Sequence, residues 1–454
     1  SGNSGALNIQ GSSQITMSNV TISGNTGSIE GGGIYSDNSS FTFDGGTISN
    51  NTASGSGGGI YAIGSPFILT NTTIENNIAS QYGGGIFHGS GSEPIIIGCS
   101  ISNNEASTVN TGGGGGGINI DASPMIIVKT SITGNTGGGV FTCCDADVSL
   151  DRGTVSNNTS SAIEGTNNYA GGIFLSGDHP VTFSISNSII WDNGTTDISF
   201  NDVIDNQIHT LTIKYSNIAG GQNSILENGH TLNWGSGNID SNPLFTDTAN
   251  SDYTLLSSSP AIDVGSPNAF YNDGDGSRND MGYTGGNGFV LSATEIDFGY
   301  LGLGDSRNKT ITITNLNPHD IAITGASFDD SQFTTSQSFP LNMSYYSTAD
   351  IQFTFTPSMT GAHWDTLQLS SPDIIATNTY GEFALSGNAF DLSDGVVQVP
   401  GEVPTIQGAI DASSNGDTVL VAAGTYVENI EIDKEIVVIG ADRETTIIDG
   451  DSSG

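Results

Sequence analysis

The sequence predicts an all-β chain that contains a parallel β-helix of right-handed coils, then an antiparallel β-sandwich, then the start of a second β-helix. Three observations predict this. A glycine-rich motif returns at nearly constant spacing through about the first 200 residues. Short segments between its copies alternate apolar and polar residues, as strands do. Gly, Asn, Ser and Pro interrupt every junction, and no helical periodicity separates the copies.

The first motif is residues 31–35, Gly-Gly-Gly-Ile-Tyr, and it returns 26 residues later at 57–61 and again at 83–87. Looser copies end at Ile118, Phe141 and Phe174. A fixed period of this length is typical of a solenoid, in which each coil buries its apolar face only against its neighbours. We therefore expect the aliphatic residue of each copy to point into a common core.

A second motif, Ile-x-x-Asn or Val-x-x-Asn, alternates with the first. Its last residues form one column: Asn25, Asn51, Asn77, Asn104, Asn135 and Asn158. Asparagine tolerates the left-handed backbone region, and its amide can hydrogen-bond an identical residue one coil away. The column therefore predicts a structural asparagine ladder. With a third apolar pair in every repeat, the pattern gives three short strands per coil.

The pairing of Gly-Gly-x-Ile with Ile-x-x-Asn resembles the repeats of polymorphic outer-membrane proteins, a family of bacterial surface adhesins. The resemblance covers about residues 1–200, with Ile or Val where that family usually has Phe. It implies a right-handed parallel β-helix over residues 1–236 and a surface-exposed, adhesive role.

Composition narrows the choice of partners. The chain has 454 residues and a formal charge of −39, from 47 acidic and 8 basic residues. Such a surface repels nucleic acid and anionic membranes, and it suits an extracellular setting with divalent cations. The three cysteines, Cys99, Cys143 and Cys144, give no disulfide framework, and we expect them to be buried and inert. With no signal peptide or membrane span in it, and with a repeat at each end, the sequence reads as an excerpt of a longer protein.

Residues 237–288 are predicted to close the first β-helix. Short sequence motifs in this segment, such as Ser-Pro-Ala-Ile-Asp at 259–263, resemble the closing segment of bacterial surface proteins of the choice-of-anchor Q type. We expect apolar residues here to cover the open end of the core: Phe245, Tyr253, Leu255 and Ile262. Alternating acids and glycines at Asp273, Asp275 and Asp280 are typical of calcium loops, although the terminal Glu of an EF-hand is missing. The alternatives are a structural Ca²⁺ or an Asp275–Arg278 salt link; no other cofactor is expected.

Residues 289–391 alternate strictly in several short strands, which predicts an antiparallel sandwich. The order of these strand motifs resembles that of the Ig-like ASH/Hydin domain, also called choice-of-anchor D. The resemblance implies a spacer or docking module without catalysis. Residues 392–454 resemble the N-terminal capping helix and first coils of pectinesterase-like and pectate-lyase-like β-helices. The helix is predicted at 404–414, and any active site of that second rod would lie outside this chain.

Two sets of residues are candidates for a functional site. One residue after each inward aliphatic comes an outward aromatic column, which could form a platform for sugar rings unless side loops cover it: Tyr35, Tyr61, Phe87, Phe141 and Phe174. Acids and a base cluster in sequence at Asp145, Asp147, Asp151 and Arg152, as a polysaccharide lyase or glycoside hydrolase would need.

The sequence therefore predicts a segment of a secreted or surface-displayed bacterial protein. Its leading function is adhesion or carbohydrate binding through the lateral face of the rod, with a polysaccharide or a cell-surface glycan or protein as partner and the Ig-like domain as spacer. A polysaccharide lyase or glycoside hydrolase is the alternative, and a structural stalk is the third interpretation.

Overall fold

The computed structural model describes residues 5–107, 114–160, 169–201, 207–225, 227–267, 272–273, 277–286, 289–291, 295–315, 321–344, 347–366, 368–370 and 384–450. The chain forms two compact units, residues 1–267 with 271–286, and residues 268–270 with 287–454.

The first unit is a parallel β-helix whose strands stack into long sheets. Face 1 is a parallel sheet of eight strands: Leu7–Ile9, Ile34–Asp37, Ile60–Ile63, Ile86–Gly89, Ile118–Asp121, Val140–Cys143, Ile173–Ser176 and Ile198–Phe200. Face 2 consists of Phe67–Thr70, Ile95–Ile97, Pro124–Val128, Asp147–Asp151, Thr182–Ser186, Thr210–Lys214 and Thr231–Trp234. Face 3 consists of Thr73–Glu75, Ser100–Ser102, Ser131–Thr133, Thr154–Ser156, Ile189–Trp191 and Asn217–Ile218.

Two long strands, Gln14–Ser23 and Ser40–Ser49, run through both face 2 and face 3 and join them into one sheet. A short fourth column pairs Thr26–Gly27, Thr52–Ala53, Ile78–Ala79 and Glu105–Ala106. Short 3₁₀ turns lie at Gln222–Ser224 and Thr248–Asn250. The inward aliphatic column is fully buried, as the period predicts: Ile34, Ile60, Ile86, Ile118, Val140 and Ile173.

The glycine triplets serve two purposes. The first glycine of a triplet has a positive φ, as at Gly57 with φ 68°. The second is pressed against the next coil, because a Cβ on Gly58 would lie 2.4 Å from the carbonyl oxygen of Gly84. Backbone atoms of adjacent coils cannot give way, so no larger residue fits there.

The asparagine column forms a continuous buried ladder. Asn77 is typical: its Oδ1 accepts from the amide N and from Nδ2 of Asn51, both at 3.0 Å. Its Nδ2 donates to Ile48 O and to Asn104 Oδ1, both at 2.9 Å. The left-handed residue, however, is the one before each ladder asparagine, such as Asn76 with φ 55°. The turn strain and the inter-coil bonding therefore fall on adjacent residues, not on one residue as the sequence pattern suggested.

The ladder also continues past Asn158. Asn158 Nδ2 donates to Asn193 Oδ1 at 2.8 Å, and Asn193 Nδ2 donates to Asp197 Oδ1 at 2.8 Å. Asn193 ends the segment Ile190-Trp191-Asp192-Asn193, which fits the Ile-x-x-Asn motif, so the sequence contained the signal for this member.

The closing segment lies along the side of the rod, and this differs from the expected cap over its end. Its paired strands Phe245–Asp247 and Asp252–Leu255 lead into residues that contact the outer side of face 3. Ala261 and Met281 pack on Ile189, in a cluster separate from the main core. Ile189 and Trp191 make the outer side of face 3 apolar at this point, and the closing segment covers them.

The second unit begins with a two-sheet sandwich. The first sheet is antiparallel and contains Phe289–Leu291, Arg307–Asn315, Thr348–Phe355 and Phe333–Thr335. The second sheet is mixed, which differs from the predicted antiparallel sandwich, because Ala384–Phe390 pairs parallel with Glu295–Gly302 and antiparallel with Gly361–Thr366. Two smaller pairs join Ile321–Ile323 to Leu341–Met343 and Gly325–Ser327 to Gln368–Ser370. Phe298 of the second sheet packs 5.7 Å from the rings of Phe333 and Phe355 of the first, which forms the core between the sheets.

The same unit ends in parallel strands and one helix. Val396–Val399, Thr418–Val421 and Val437–Gly440 form one parallel sheet, and Gly424–Val427 pairs with Thr446–Asp449. The helix is Ile406–Ala412, inside the predicted span. Glu428 accepts from the amides of Ile406 and Gln407 at 2.9 Å each, and Lys434 donates to carbonyls at the other end. Both charges suit the helix dipole. Among the described residues, no helix has the length and apolar character that a membrane span requires.

Candidate functional site

The outer side of face 1 carries the predicted aromatic column. The strand register aligns its members directly, one per coil: Tyr35, Tyr61, Phe87, Asn119, Phe141 and Phe174. Alternation along each strand turns these side chains away from the core. The residues two positions later in the same strands, such as Asp37 and Asp121, also point outward and form the edge of this column.

The rings stack on one another and leave little open ring face. Tyr35 and Tyr61 have centroids 5.4 Å apart with an interplanar angle of 7°, and Tyr61 and Phe87 are 5.0 Å apart at 8°. Tyr35 is 8% exposed, Phe87 9% and Phe174 4%. The expected platform of open faces therefore does not form, because the coil spacing of about 4.8 Å brings successive rings into contact. Ring edges of the half-buried Tyr61 and Phe141 remain accessible.

The hydroxyl of Tyr61 is held in its protonated form. Burial, with the nearby negative charges of Glu30, Asp37 and Asp121, raises its pKa to about 12. Burial also raises the pKa of Glu30, against the opposing hydrogen bond from the amide of Ser56. This hydroxyl is therefore a hydrogen-bond donor throughout the neutral range.

Three of the four predicted catalytic residues, Asp147, Asp151 and Arg152, do not converge on one point. Asp147 and Asp151 are the two ends of one strand, which at about 3.3 Å per residue puts them about 13 Å apart. Arg152 is fully buried, and its Nε donates to Asp151 Oδ2 at 2.8 Å. Asp145 lies in the preceding turn with φ 62°. Arg152 is therefore shielded from a polymer, and Asp147 and Asp151 lie farther apart than the about 5–9.5 Å of a glycosidase carboxylate pair, so these three residues do not form the active site of a lyase or hydrolase together.

Asp151 and Arg152 instead belong to the support of the closing segment. Asp151 Oδ1 accepts from Asn187 Nδ2 at 2.8 Å, and Asn187 Oδ1 accepts from the amide of Ser266 at 2.6 Å. Lys129, in the same corner, donates to Gly286 O. Burial and the positive charge of Arg152 lower the pKa of Lys129 to about 8, although the nearby Asp273 and Asp151 oppose this.

An acidic cluster forms within the closing segment. Oxygens of Asp263, Asp273 and Asp280 lie within 4.8 Å of one another. Asp273 and Asp280 are two of the predicted calcium ligands; the third, Asp275, lies outside the described residues. Asp280 N donates to Asp273 Oδ2 at 3.1 Å, and Asp263 N donates to Asp280 Oδ1 at 2.8 Å. Asp275 is also the predicted salt-link partner of Arg278, so that prediction falls outside the described residues as well. Arg278 Nε donates to Gly265 O at 2.6 Å.

A groove between face 3 and the closing segment was missed by the sequence analysis. It is a cavity of about 320 Å³, and its lining combines two aromatic rings with polar groups: Trp191, Phe245, Asn157, Asp192 and Asn242. The signal in the sequence was Trp191, one of three tryptophans, which stands in the Ile-x-x-Asn motif where the six earlier copies have Ser, Glu or Thr.

The cysteines divide into two kinds. Cys99 is buried, as we expected of all three, and its Sγ donates to Ile97 O at 3.4 Å. Cys143 and Cys144 are only partly buried, on the outer side of face 1. A hydrogen bond to Cys144, burial and the charge of Asp121 raise the pKa of the Cys143 thiol.

Comparison with known proteins supports the architecture of the first unit. Residues 4–169 match the family model described as a right-handed β-helix region. No curated protein matches the chain. Together with the parallel sheets, the family match shows that the first unit is a right-handed parallel β-helix.

Three solved structures are similar to a limited part of the chain. The ASH/PapD-like domain of human CEP192 is 15% identical with a TM-score of 0.19, and the match covers 23% of this chain and 85% of that one. The secreted serine protease VesC from Vibrio cholerae is 13% identical with a TM-score of 0.19, covering 23% of each chain. The Vibrio cholerae VesB protease is 14% identical with a TM-score of 0.17, covering 22% of this chain and 30% of that one.

Proposed function

We propose that this chain belongs to a secreted or surface-displayed bacterial protein and that its β-helix binds a glycan through its lateral surface without breaking it. The groove beside Trp191 carries the proposal. Sugars are bound by aromatic rings that contact their C–H faces and by polar groups that hydrogen-bond their hydroxyls. Trp191 and Phe245 supply the first, and Asp192, Asn157 and Asn242 supply the second.

The edge of the aromatic column is a second contact on the same rod. Tyr61 offers a protonated hydroxyl there, and its ring is fixed by stacking on both sides. Because little ring face is open, this column fits a glycan or protein surface that hydrogen-bonds along it, not a stacked sugar. The net charge of −39 favours neutral or basic polymers as partners and disfavours nucleic acid. In this proposal the sandwich of the second unit is a spacer.

The test uses the full chain on immobilised neutral, basic and acidic polysaccharides with calcium present. We expect retention on one class of glycan without chain shortening. Asp192→Asn keeps a residue that tolerates the φ of 59° at this position but removes its charge. Because hydrogen bonds to charged groups contribute about 1.5–3 kcal/mol, binding should weaken about tenfold or more.

Tyr61→Phe removes only the hydroxyl and keeps the ring stack, so it reports separately on face 1. Trp364→Ala is the control, because Trp364 is 77% exposed in the second unit and outside both candidate sites. No retention on any glycan, or equal retention of Asp192→Asn, would contradict glycan binding in the groove. New chain ends would show that the protein is an enzyme.

We also propose a structural calcium ion in the closing segment. Calcium takes six to eight oxygen ligands at about 2.3–2.6 Å, and the three carboxylates of Asp263, Asp273 and Asp280 can supply part of that set. When bound, the ion would neutralise their mutual repulsion and hold the segment on face 3. We expect Ca²⁺ to raise the melting temperature of the wild type, and Asp280→Asn to lose that increase. An unchanged melting temperature with and without chelator would contradict the proposal.

One observation favours a structural stalk as a second candidate function. The rings of Tyr35 and Phe87 are largely covered by their own neighbours, so the column stabilises the rod whether or not a ligand binds. In a stalk, both Asp192→Asn and Tyr61→Phe would leave every interaction of the chain unchanged.

A further inference from the structure

Two thiols and a carboxylate meet on the outer side of face 1. Asp121 and Cys143 are register partners on neighbouring strands, and Cys143 Sγ lies 3.5 Å from Asp121 Oδ1. One oxygen of Asp121 and the sulfurs of Cys143 and Cys144 all lie within 4.8 Å of one another. All three residues are partly exposed, so the cluster is open to small solutes.

The backbone explains how two adjacent cysteines reach the same place. In a continuing strand they would point to opposite sides. Here the strand ends at Cys143, and Cys144 and Asp145 take φ values of 64° and 62°, an uncommon conformation for residues other than glycine. The following coil has Gly177 beside them, where a Cβ would lie 3.3 Å from Cys144 Sγ. A glycine at this position leaves room next to the sulfurs that a side chain would narrow.

We propose that Asp121, Cys143 and Cys144 bind a thiophilic divalent cation of the Zn²⁺ class, with water as the remaining ligand. Zinc binds cysteine sulfur at about 2.3 Å and carboxylate oxygen at about 2.0–2.2 Å, so the donors of a tetrahedral site lie about 3.5–3.8 Å apart. The observed cluster needs only a small contraction to reach this geometry.

The donor set also decides which cations fit. Calcium and magnesium prefer oxygen ligands, whereas two sulfurs with one oxygen suit zinc or cadmium. Binding converts both thiols to thiolates and releases their two protons to solvent. The site is therefore chemically distinct from the all-oxygen cluster in the closing segment, and the acidic surface of the chain favours cations generally.

The test titrates the reduced, metal-free full chain with Cd²⁺ and then with Zn²⁺. We expect a sulfur-to-cadmium charge-transfer absorption that saturates at one ion per chain, release of two protons, and displacement of the ion by a large excess of Zn²⁺ but not by the same excess of Ca²⁺. Cys143→Ser and Cys144→Ser should each remove most of the absorption. Asp121→Asn should weaken binding about tenfold or more, at least the effect of removing an outer-shell partner.

Asp37→Asn is the matched control. Asp37 occupies the same outward column three coils earlier, next to Ile63 of the following coil and without a cysteine beside it, so its loss should leave binding unchanged. Absorption that survives in the double variant of Cys143 and Cys144 would overturn the proposal. So would a chain with both thiols free by thiol titration that takes up no Cd²⁺, or a Cys143–Cys144 disulfide that persists under the reducing conditions of the titration.

Discussion

Replacing Asn77 by alanine removes the centre of the asparagine ladder, and its cost follows from the bonds that Asn77 makes. Its Oδ1 is the acceptor for the amide N and one N–H of Nδ2 on Asn51, at 3.0 Å each. Both residues are fully buried, so those two donors lose their acceptor away from water. A buried donor without a partner costs about 1–3 kcal/mol, and the change should therefore lower the free energy of unfolding by about 2–6 kcal/mol.

Asn25→Ala is the matched control at the end of the same ladder. Asn25 is partly exposed, and its Nδ2 donates to Ser23 O and to Asn51 Oδ1, which keeps a second bond from the amide of Asn25. Water can replace what is lost, so we expect a cost of about 1 kcal/mol or less. Urea denaturation of the full chain followed by circular dichroism gives both values. Amide hydrogen exchange at Asn51 should rise strongly in Asn77→Ala and little in Asn25→Ala.

Equal effects of the two variants would refute this reasoning. They would mean that the strand ladders hold the coils in register and that the side-chain amides merely fill the turn. Preserved protection at the amide of Asn51 would have the same meaning, since that N–H would then have found another acceptor.

Two further predictions concern the same rod. Gly58→Ala would place a Cβ 2.4 Å from the carbonyl oxygen of Gly84, so it should lower the free energy of unfolding by more than the about 1–3 kcal/mol of an overpacked core. Gly91→Ala is the control: a Cβ there meets open space and only the positive φ is unfavourable, so the same denaturation assay should show a loss of about 1 kcal/mol. Burial lowers the pKa of His88 from 6.5 to about 4, so the folded rod favours the neutral ring. The free energy of unfolding should therefore fall by about 3 kcal/mol as the pH drops from about 6.5 to about 4. His88→Gln should remove that part of the pH dependence; denaturation midpoints of wild type and variant that fall in parallel would show that His88 does not contribute it.

Local, repeated features of this fold could be predicted from the sequence because each coil carries the same physical constraints. A fixed period, alternating apolar residues and glycine runs place the strands and the inward column, which requires no knowledge of distant contacts. The course of the closing segment could not be predicted in this way. It depends on contacts such as that between Asn187 and Ser266, which are 79 residues apart in sequence. The repeat pattern also does not predict that Arg152 is buried beside the residues that hold the closing segment.

The aromatic column shows where pattern alone misleads about function. The sequence correctly places these residues on one outward face, but a spacing of about 4.8 Å forces neighbouring rings to cover one another. In a regular repeat, the aromatic residues that look most suited to binding therefore contact one another and stabilise the rod. The groove beside Trp191 and the cluster of Asp121, Cys143 and Cys144 both lie where the coils differ from one another. Trp191 takes a variable position of the Ile-x-x-Asn motif where other coils have Ser, Glu or Thr, and Cys143 takes the strand position that Asp37 and Asp121 hold in other coils. A search for function in β-helix chains should accordingly begin with the residues that break the repeat.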